Sequence, residues 1–383
     1  MRSFLAGALC LSVLASAAPT LSVRDVPQTE FLNVTYSSSS GSLHNSSLPN
    51  VLILATGGTI AGSSTSSEDD THYQAGVIGV AALVAAVPDL LNISNIDGVQ
   101  FANKNSGDIT SADVLQLSKL INYALCRSHS NYTGAVVTHG TDTLEETAFT
   151  LDITLSCSKP IVIVGAMRPA TATSADGPGN LLEAVTVAVD PRAKGRGALI
   201  VLNDRIGQAW YTIKRNANTL ETFGAPEQGF VGGLLSYTPF WYYPATRPTF
   251  KQTFKIAAIN TLPAVEIIYA HESYNPKLIK DAISDGAQGI VIAGTGAGDE
   301  SLAAEPYIAA AVAQGVPVVI STKINVGCVV PSAGSDTIAA GFLNPVKSRI
   351  QLQYALANNY SMNATRASFE QVLGSMIGYG ASG

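Results

Sequence analysis

Charge, histidine and cysteine are all scarce in this chain. Its 383 residues include five histidines and four cysteines, and charged side chains make up 13% of the sequence. No two cysteines form a C-x-x-C pair and the histidines are scattered, so the ligand spacing of a metal site is missing. Runs of lysine or arginine are missing too, and the net charge is −6, which argues against nucleic acid as a partner, since neutralising phosphates needs a basic patch. No stretch reaches the ~18–20 uninterrupted apolar residues of a membrane helix, so no membrane partner is expected. What is plentiful is apolar side chain, at 46%. A chain of this length and composition predicts two folded domains, because single cores stop growing near ~250–300 residues.

The N-terminus carries Arg2, an apolar run from Phe4 to Leu14, and then Ala15-Ser16-Ala17. This charged, apolar, small-residue order predicts a signal peptide over 1–17 and a secreted protein in the extracellular or cell-wall space. Six N-x-S/T sequons, at Asn33, Asn45, Asn92, Asn131, Asn359 and Asn363, fit a glycosylated exported chain. Removing Cys10 with the signal leaves Cys126, Cys157 and Cys328, enough for one disulfide and one thiol.

Residues 18–48 are rich in Ser and Asn without an apolar period and predict a flexible leader. From Val51 onward, short β-type runs alternate with helical patterns. Val51–Ala55, Ala135–Val137, Ile161–Val164 and Leu199–Leu202 read as buried strands, with helices after Thr110, whose pairing with Asp113 predicts a capping box, and near Thr143. Strand and helix in alternation call for an α/β fold, a doubly wound and mostly parallel sheet in a larger N-terminal domain over 49–240. The Pro- and aromatic-rich stretch around Tyr237–Thr253 breaks the pattern and suggests an interdomain connection, set at 241–261. Strands at Val265–Tyr269, Ile290–Ala293 and Val316–Ile320, with helices after Pro276 and Ser301, then make a smaller C-terminal α/β domain over 262–383.

In open α/β sheets ligands bind beyond the carboxyl ends of the strands. Three such places are rich in polar or glycine residues: Thr56-Gly57-Gly58-Thr59, Thr138-His139-Gly140-Thr141-Asp142-Thr143 with Glu145 and Glu146 following, and Asn203-Asp204 with Lys214 further on. Taken singly, each has an ordinary explanation: a Gly-rich turn, an N-capping Asp142 or Thr143, a solvated lysine. Taken together they suggest nucleophilic chemistry. A threonine hydroxyl is a weak nucleophile that needs a desolvated lysine or an ionised tyrosine as base, and Lys214 with Thr141, or Tyr73 with Thr59, can supply that pairing.

The strings Ile53–Gly62 and Thr138–Thr147 closely resemble the two signature motifs of type II L-asparaginases, as do Gly165-Ala166-Met167-Arg168-Pro169 and Ser174-Ala175-Asp176-Gly177-Pro178. The resemblance runs from about Leu48 to the C-terminus and includes Leu343-Asn344-Pro345. It implies L-asparagine as small-molecule substrate, no cofactor, and a homotetramer. It also implies Thr59 as nucleophile or its close partner, Tyr73 on a lid, and Thr141, Asp142 and Lys214 as a second catalytic group. Ser106 and Asp142 would hold the substrate's α-carboxylate and α-ammonium. Relatives bridge the helix ends where Cys126 and Cys157 fall, which implies that disulfide.

The chain departs from the family at Gly107, beside the bound carboxylate, where relatives often carry Gln or Glu, and at Ala297, where they often carry Asn. Val329–Asp336 also lacks the glutamate that relatives donate across a subunit interface. The expected activity is hydrolysis of L-asparagine to L-aspartate and ammonia through a threonine acyl-enzyme. The alternatives are a dual glutaminase-asparaginase, since one methylene is worth only ~1–3 kcal/mol of discrimination, and a non-catalytic amino-acid-binding protein that closes two domains on its ligand. A dinucleotide enzyme is more remote, because Gly294-x-Gly296-x-Gly298 lacks the G-x-G-x-x-G spacing.

Overall fold

The alternating runs form two parallel sheets. The computed structural model describes residues 35–38, 45–69, 72–249 and 251–376. The first part of the chain forms β1 (Thr35–Ser38), β2 (Asn50–Gly57), α1 (Val80–Ala85), α2 (Leu90–Ile93), β3 (Asn95–Lys104), α3 (Ser111–Cys126), β4 (Tyr132–Thr138), α4 (Leu144–Thr154), β5 (Ile161–Val164), α5 (Gly177–Val189), β6 (Ala198–Leu202) and β7 (Arg205–Gln208). Then come β8 (Ile213–Lys214), β9 (Phe223–Gly224), β10 (Gly232–Leu235) and β11 (Thr238–Trp241). The remainder forms β12 (Val265–Tyr269), α6 (Lys277–Ser284), β13 (Gly289–Gly294), α7 (Glu305–Ala313), β14 (Val318–Thr322), β15 (Ile338–Ala339), α8 (Pro345–Ala357) and α9 (Met362–Met376).

The larger sheet has the order β1-β3-β2-β4-β5-β6-β7-β10-β11, and its stretch from β3 to β6 is parallel. β2 shows why its sequence is continuously apolar: Val51, Ile53 and Ala55 join the core under α1 and α5, while Leu52 and Leu54 join the core under α3 and α4. A strand covered on both faces has no solvent side to mark with polar residues. The smaller sheet, β12-β13-β14-β15, is all parallel. The two sheets' layers meet in one cluster in which Phe149, Ile153 and Trp210 pack against Phe254, Val265, Ile350 and Tyr354. The capping box at Thr110 and Asp113 is present at the start of α3.

Several expectations are corrected. Thr35–Ser38, in the supposed leader, pairs antiparallel with β3; an edge strand needs only backbone partners, so no apolar period announces it. The signal segment 1–17 and Asn33 lie outside the described residues. Thr238–Trp241, at the start of the supposed connection, is the outer strand of the larger sheet and pairs with β10. That part of the sheet turns antiparallel at β7, through a hairpin in which Asn203 and Asp204 both adopt positive φ. The other five sequon asparagines are exposed. Cys126 and Cys157 form a disulfide joining the carboxyl ends of α3 and α4.

Candidate active site

After β2 the chain crosses to one side to form β3 and then returns to the other side for β4. The connections leave on opposite faces, which opens a crevice at the carboxyl ends of β2 and β4, the switch point where ligands bind in such sheets. Thr59 follows β2, Ser106 follows β3 and Thr141 follows β4. The three turns touch. A Cβ on Gly58, which has φ +78, would lie 2.2 Å from the backbone nitrogen of Gly140, and one on Gly140 would lie 2.8 Å from Ser106 Cβ. Only glycine lets the residues just before the two threonines pack this closely.

Two hydroxyl pairs result. Thr59 Oγ1 and Tyr73 OH are 2.5 Å apart, with Thr59 buried. The Lys214 ammonium donates to Thr141 Oγ1 at 3.0 Å and to Asp142 Oδ1 at 2.6 Å. Lys214 is far from the solvated lysine of the ordinary explanation: its side chain is 16% exposed, against 67% for Asp142. Ser106 is buried and its Oγ accepts from the Asp142 N–H at 3.2 Å, while its carbonyl accepts from Thr143 Oγ1 at 2.8 Å. Thr143 is the N-cap residue of α4, without a side-chain cap bond. Gly107 faces open space, with nothing within 4 Å of a built Cβ.

The remaining motif residues are the scaffold of these pairs. A Cβ on Gly165 would lie 3.0 Å from the methyl of Thr141, and one on Gly177 would lie 3.1 Å from Ile60, next to Thr59. The Asp176 carboxylate accepts from the N–H groups of Met167 and Arg168 at 3.0 and 2.9 Å, which fixes the loop after β5. The segment leading to Tyr73 is clipped to that loop: Ala170 N–H donates to Gly62 O, Ser64 N–H to Thr171 Oγ1 and Thr173 N–H to Ser67 O. His139 is fully buried. Its Nδ1 donates to the Gly140 carbonyl at 2.7 Å, Nε2 lies 3.0 Å from Thr147 Oγ1, and burial lowers its pKa to about 4, so the ring is neutral.

Sequence reasoning did not assign roles to Glu145, Asn344 or Lys347. Glu145 accepts from the Lys214 N–H at 2.5 Å and from Asn344 Nδ2 at 3.0 Å. The density of polar groups after β4 was the one signal for Glu145; Asn344 was legible only within the string Leu343-Asn344-Pro345, without a role, and Lys347 gave no signal. A cavity of about 470 Å³ opens beside Gly107 and Thr143, bordered by Glu146, Arg349 and Tyr354, and it does not include Thr59, Thr141 or Lys214. Among the described residues no cluster of His, Cys, Asp and Glu has the geometry to hold a metal ion.

The model for the asparaginase N-terminal domain matches residues 50–247, and the model for the glutaminase/asparaginase C-terminal domain matches residues 264–369. The chain belongs to the asparaginase family. It is 47% identical over 319 residues to probable L-asparaginase 3 of Schizosaccharomyces pombe, covering 83% of this chain and 88% of that one. L-asparaginase 2 of Bacillus subtilis is 44% identical over 337 residues, covering 87% and 89%. Among solved structures, the probable cytoplasmic L-asparaginase from Campylobacter jejuni superposes with a TM-score of 0.80 at 35% identity, covering 84% of this chain and 99% of that one. That likeness corrects the expected secretion. An asparaginase of the same fold is described as cytoplasmic, so membership of the family lends a secreted location no support.

Proposed function

We infer that this asparaginase-family chain hydrolyses the side-chain amide of L-asparagine to give L-aspartate and ammonia. The observation that carries the inference is the meeting, at one switch point, of two hydroxyl–base pairs, Thr59 with Tyr73 and Thr141 with Lys214. A threonine oxygen attacks the carboxamide carbon as its base, Lys214 as the neutral amine or Tyr73 as the phenolate, takes the hydroxyl proton. The C–N bond then breaks, ammonia leaves with a proton, and an acyl-threonine remains. Water attacks that ester, its proton passes to a base, and aspartate is released. Each threonine has its own proton partner, so either can be the one acylated. Asp142 and Ser106 hold the α-ammonium and α-carboxylate, which orients the amide for attack. The chemistry needs no cofactor.

The catalytic side chains Thr59, Tyr73, Thr141, Asp142 and Lys214 all fall in the part of the chain that forms the larger sheet, which ends with β11 at Trp241, and the stretch after it connects this catalytic domain to 262–383. The working assembly is a homotetramer. A second activity on L-glutamine is favoured by the open space at Gly107, which gives the substrate no side-chain contact there. Initial rates of ammonia release from asparagine and glutamine test both. Release from asparagine supports the inference, comparable kcat/KM for the two makes the enzyme dual, and binding without release leaves an amino-acid-binding protein.

A further inference from the structure

Lys214 sits in a strand too short to fix its own position. β8 and β9 have two residues each, paired Ile213 with Gly224 and Lys214 with Phe223. So small a ladder is marginal by itself. Its register must be set by something else.

Two sets of hydrogen bonds do this, one through Glu145 of α4, which is tied to the start of α8, and one from Lys347 of α8. The Lys214 N–H donates to Glu145 Oε2 at 2.5 Å, and the other oxygen of this buried carboxylate accepts from Asn344 Nδ2 at 3.0 Å. Asn344 is the N-cap of α8, and its Oδ1 accepts from the Lys347 N–H at 3.0 Å, so both ends of its amide are committed. Lys347, 1% exposed, sends its ammonium to the carbonyls of Ala209, Trp210 and Thr212 at 2.9, 3.0 and 2.8 Å. An ammonium has three donors, and all three are used on the turn that leads into Ile213 and Lys214. Burial lowers the Lys347 pKa to about 8, while Glu145 and Asp152 favour its charged form. A buried ammonium is costly, and an apolar residue of similar size would fill the space more cheaply. What an apolar residue cannot do is gather three carbonyls.

We propose that Glu145 of α4 and Lys347 of α8, with Asn344 between them, are positioning residues for Lys214, a strut tied to the C-terminal domain through α8 that sets the distance between Lys214 Nζ and Thr141 Oγ1. The proposal rests on Lys214 being the base of the preceding section. The strut touches neither substrate nor reacting atoms. Its effect on rate follows from geometry, because a misplacement of ~1 Å at a reacting group can cost roughly 100-fold in rate.

The test uses the full chain, with kcat and KM for asparagine measured per folded molecule. Glu145→Gln keeps size and removes the charge, and Lys347→Met keeps the stem and removes the donors. Each is expected to lower kcat about 10- to 100-fold with KM changed less than about threefold. In a Lys214→Met background neither should lower kcat further, because both act through Lys214. A lower melting temperature with kcat unchanged, or the same fold-loss added on top of Lys214→Met, overturns the strut. If Lys347→Met does not fold, Glu145→Gln decides the matter alone. Failure of the underlying assignment looks different: Lys214→Met by itself would then keep wild-type turnover.

Discussion

The Lys214 ammonium lies 3.0 Å from Thr141 Oγ1, although 73 residues separate the two in the chain. The contact joins the turn after β4 to the short strand β8, and in the proposed mechanism it makes the two residues a nucleophile–base pair, with Lys214 acting as the neutral amine. Thr141→Ala and Lys214→Met should each cut turnover of asparagine by orders of magnitude with a much smaller change in affinity. The double variant should be little worse than the worse single, as for residues acting as one unit. Steady-state kinetics on the four proteins checks this, and multiplicative losses would separate the two residues.

Tyr73 meets Thr59 at 2.5 Å and belongs to a segment clipped onto the loop after β5. Tyr73→Phe keeps the ring and its packing and removes only the hydroxyl. Turnover should fall by about 100-fold or more, the usual worth of a positioned proton carrier, with the melting temperature within a few degrees of wild type. A variant that keeps its turnover would make Tyr73 a packing residue.

The outline of the fold was legible because central strands repeat a simple rule. Val51–Ala55 and Ile161–Val164 are apolar on both faces, and Thr110 with Asp113 announces a helix start by local bonds alone. Elements with mixed burial were not legible. α8 buries Lys347, Ser348, Gln351 and Gln353 beside Leu352 and Tyr354, so no polar face marks its period. Of the site, the residue types and the motif strings were readable, but the meeting of Lys214 with Thr141 was not, since spacing along a chain does not encode distance across a sheet. Glu145 illustrates the limit: it looks like a first-turn helix carboxylate that favours the macrodipole, yet in the fold it accepts from Lys214 and Asn344.

His139 provides a pH signature. In the unfolded chain an imidazole takes up its proton near pH 6.5, whereas the buried ring resists until about pH 4. Between these values the unfolded state binds the extra proton, so stability is present in full above pH 6.5 and is lost as pH falls toward 4. The loss amounts to about 3 kcal/mol. Urea unfolding at a series of pH values measures the slope, and NMR of the ring should give a midpoint near 4; a midpoint near 6.5 would remove the effect.

The Cys126–Cys157 bridge spans a sequence separation of 31 residues. In the chain-entropy model, closing a loop of that length stabilises by roughly 3–4 kcal/mol. Replacing both cysteines with alanine should therefore lower the denaturation midpoint and leave kcat unchanged, because the helix ends they join are away from the threonines. Non-reducing peptide mapping of the wild type that finds both as thiols, or either one paired with Cys328, would contradict the pairing.

The central claim is amide hydrolysis by the paired threonines and their bases. Ammonia release from L-asparagine, measured side by side for wild type, Thr59→Ala and Lys214→Met with circular dichroism to establish folding, tests it most directly. The expected result is steady release of ammonia with an equal amount of aspartate from the wild type and losses of orders of magnitude in both variants. No ammonia from a folded wild type would contradict the claim outright. A folded variant that kept more than about a tenth of wild-type turnover, a ΔΔG‡ below ~1.4 kcal/mol, would contradict it for that residue.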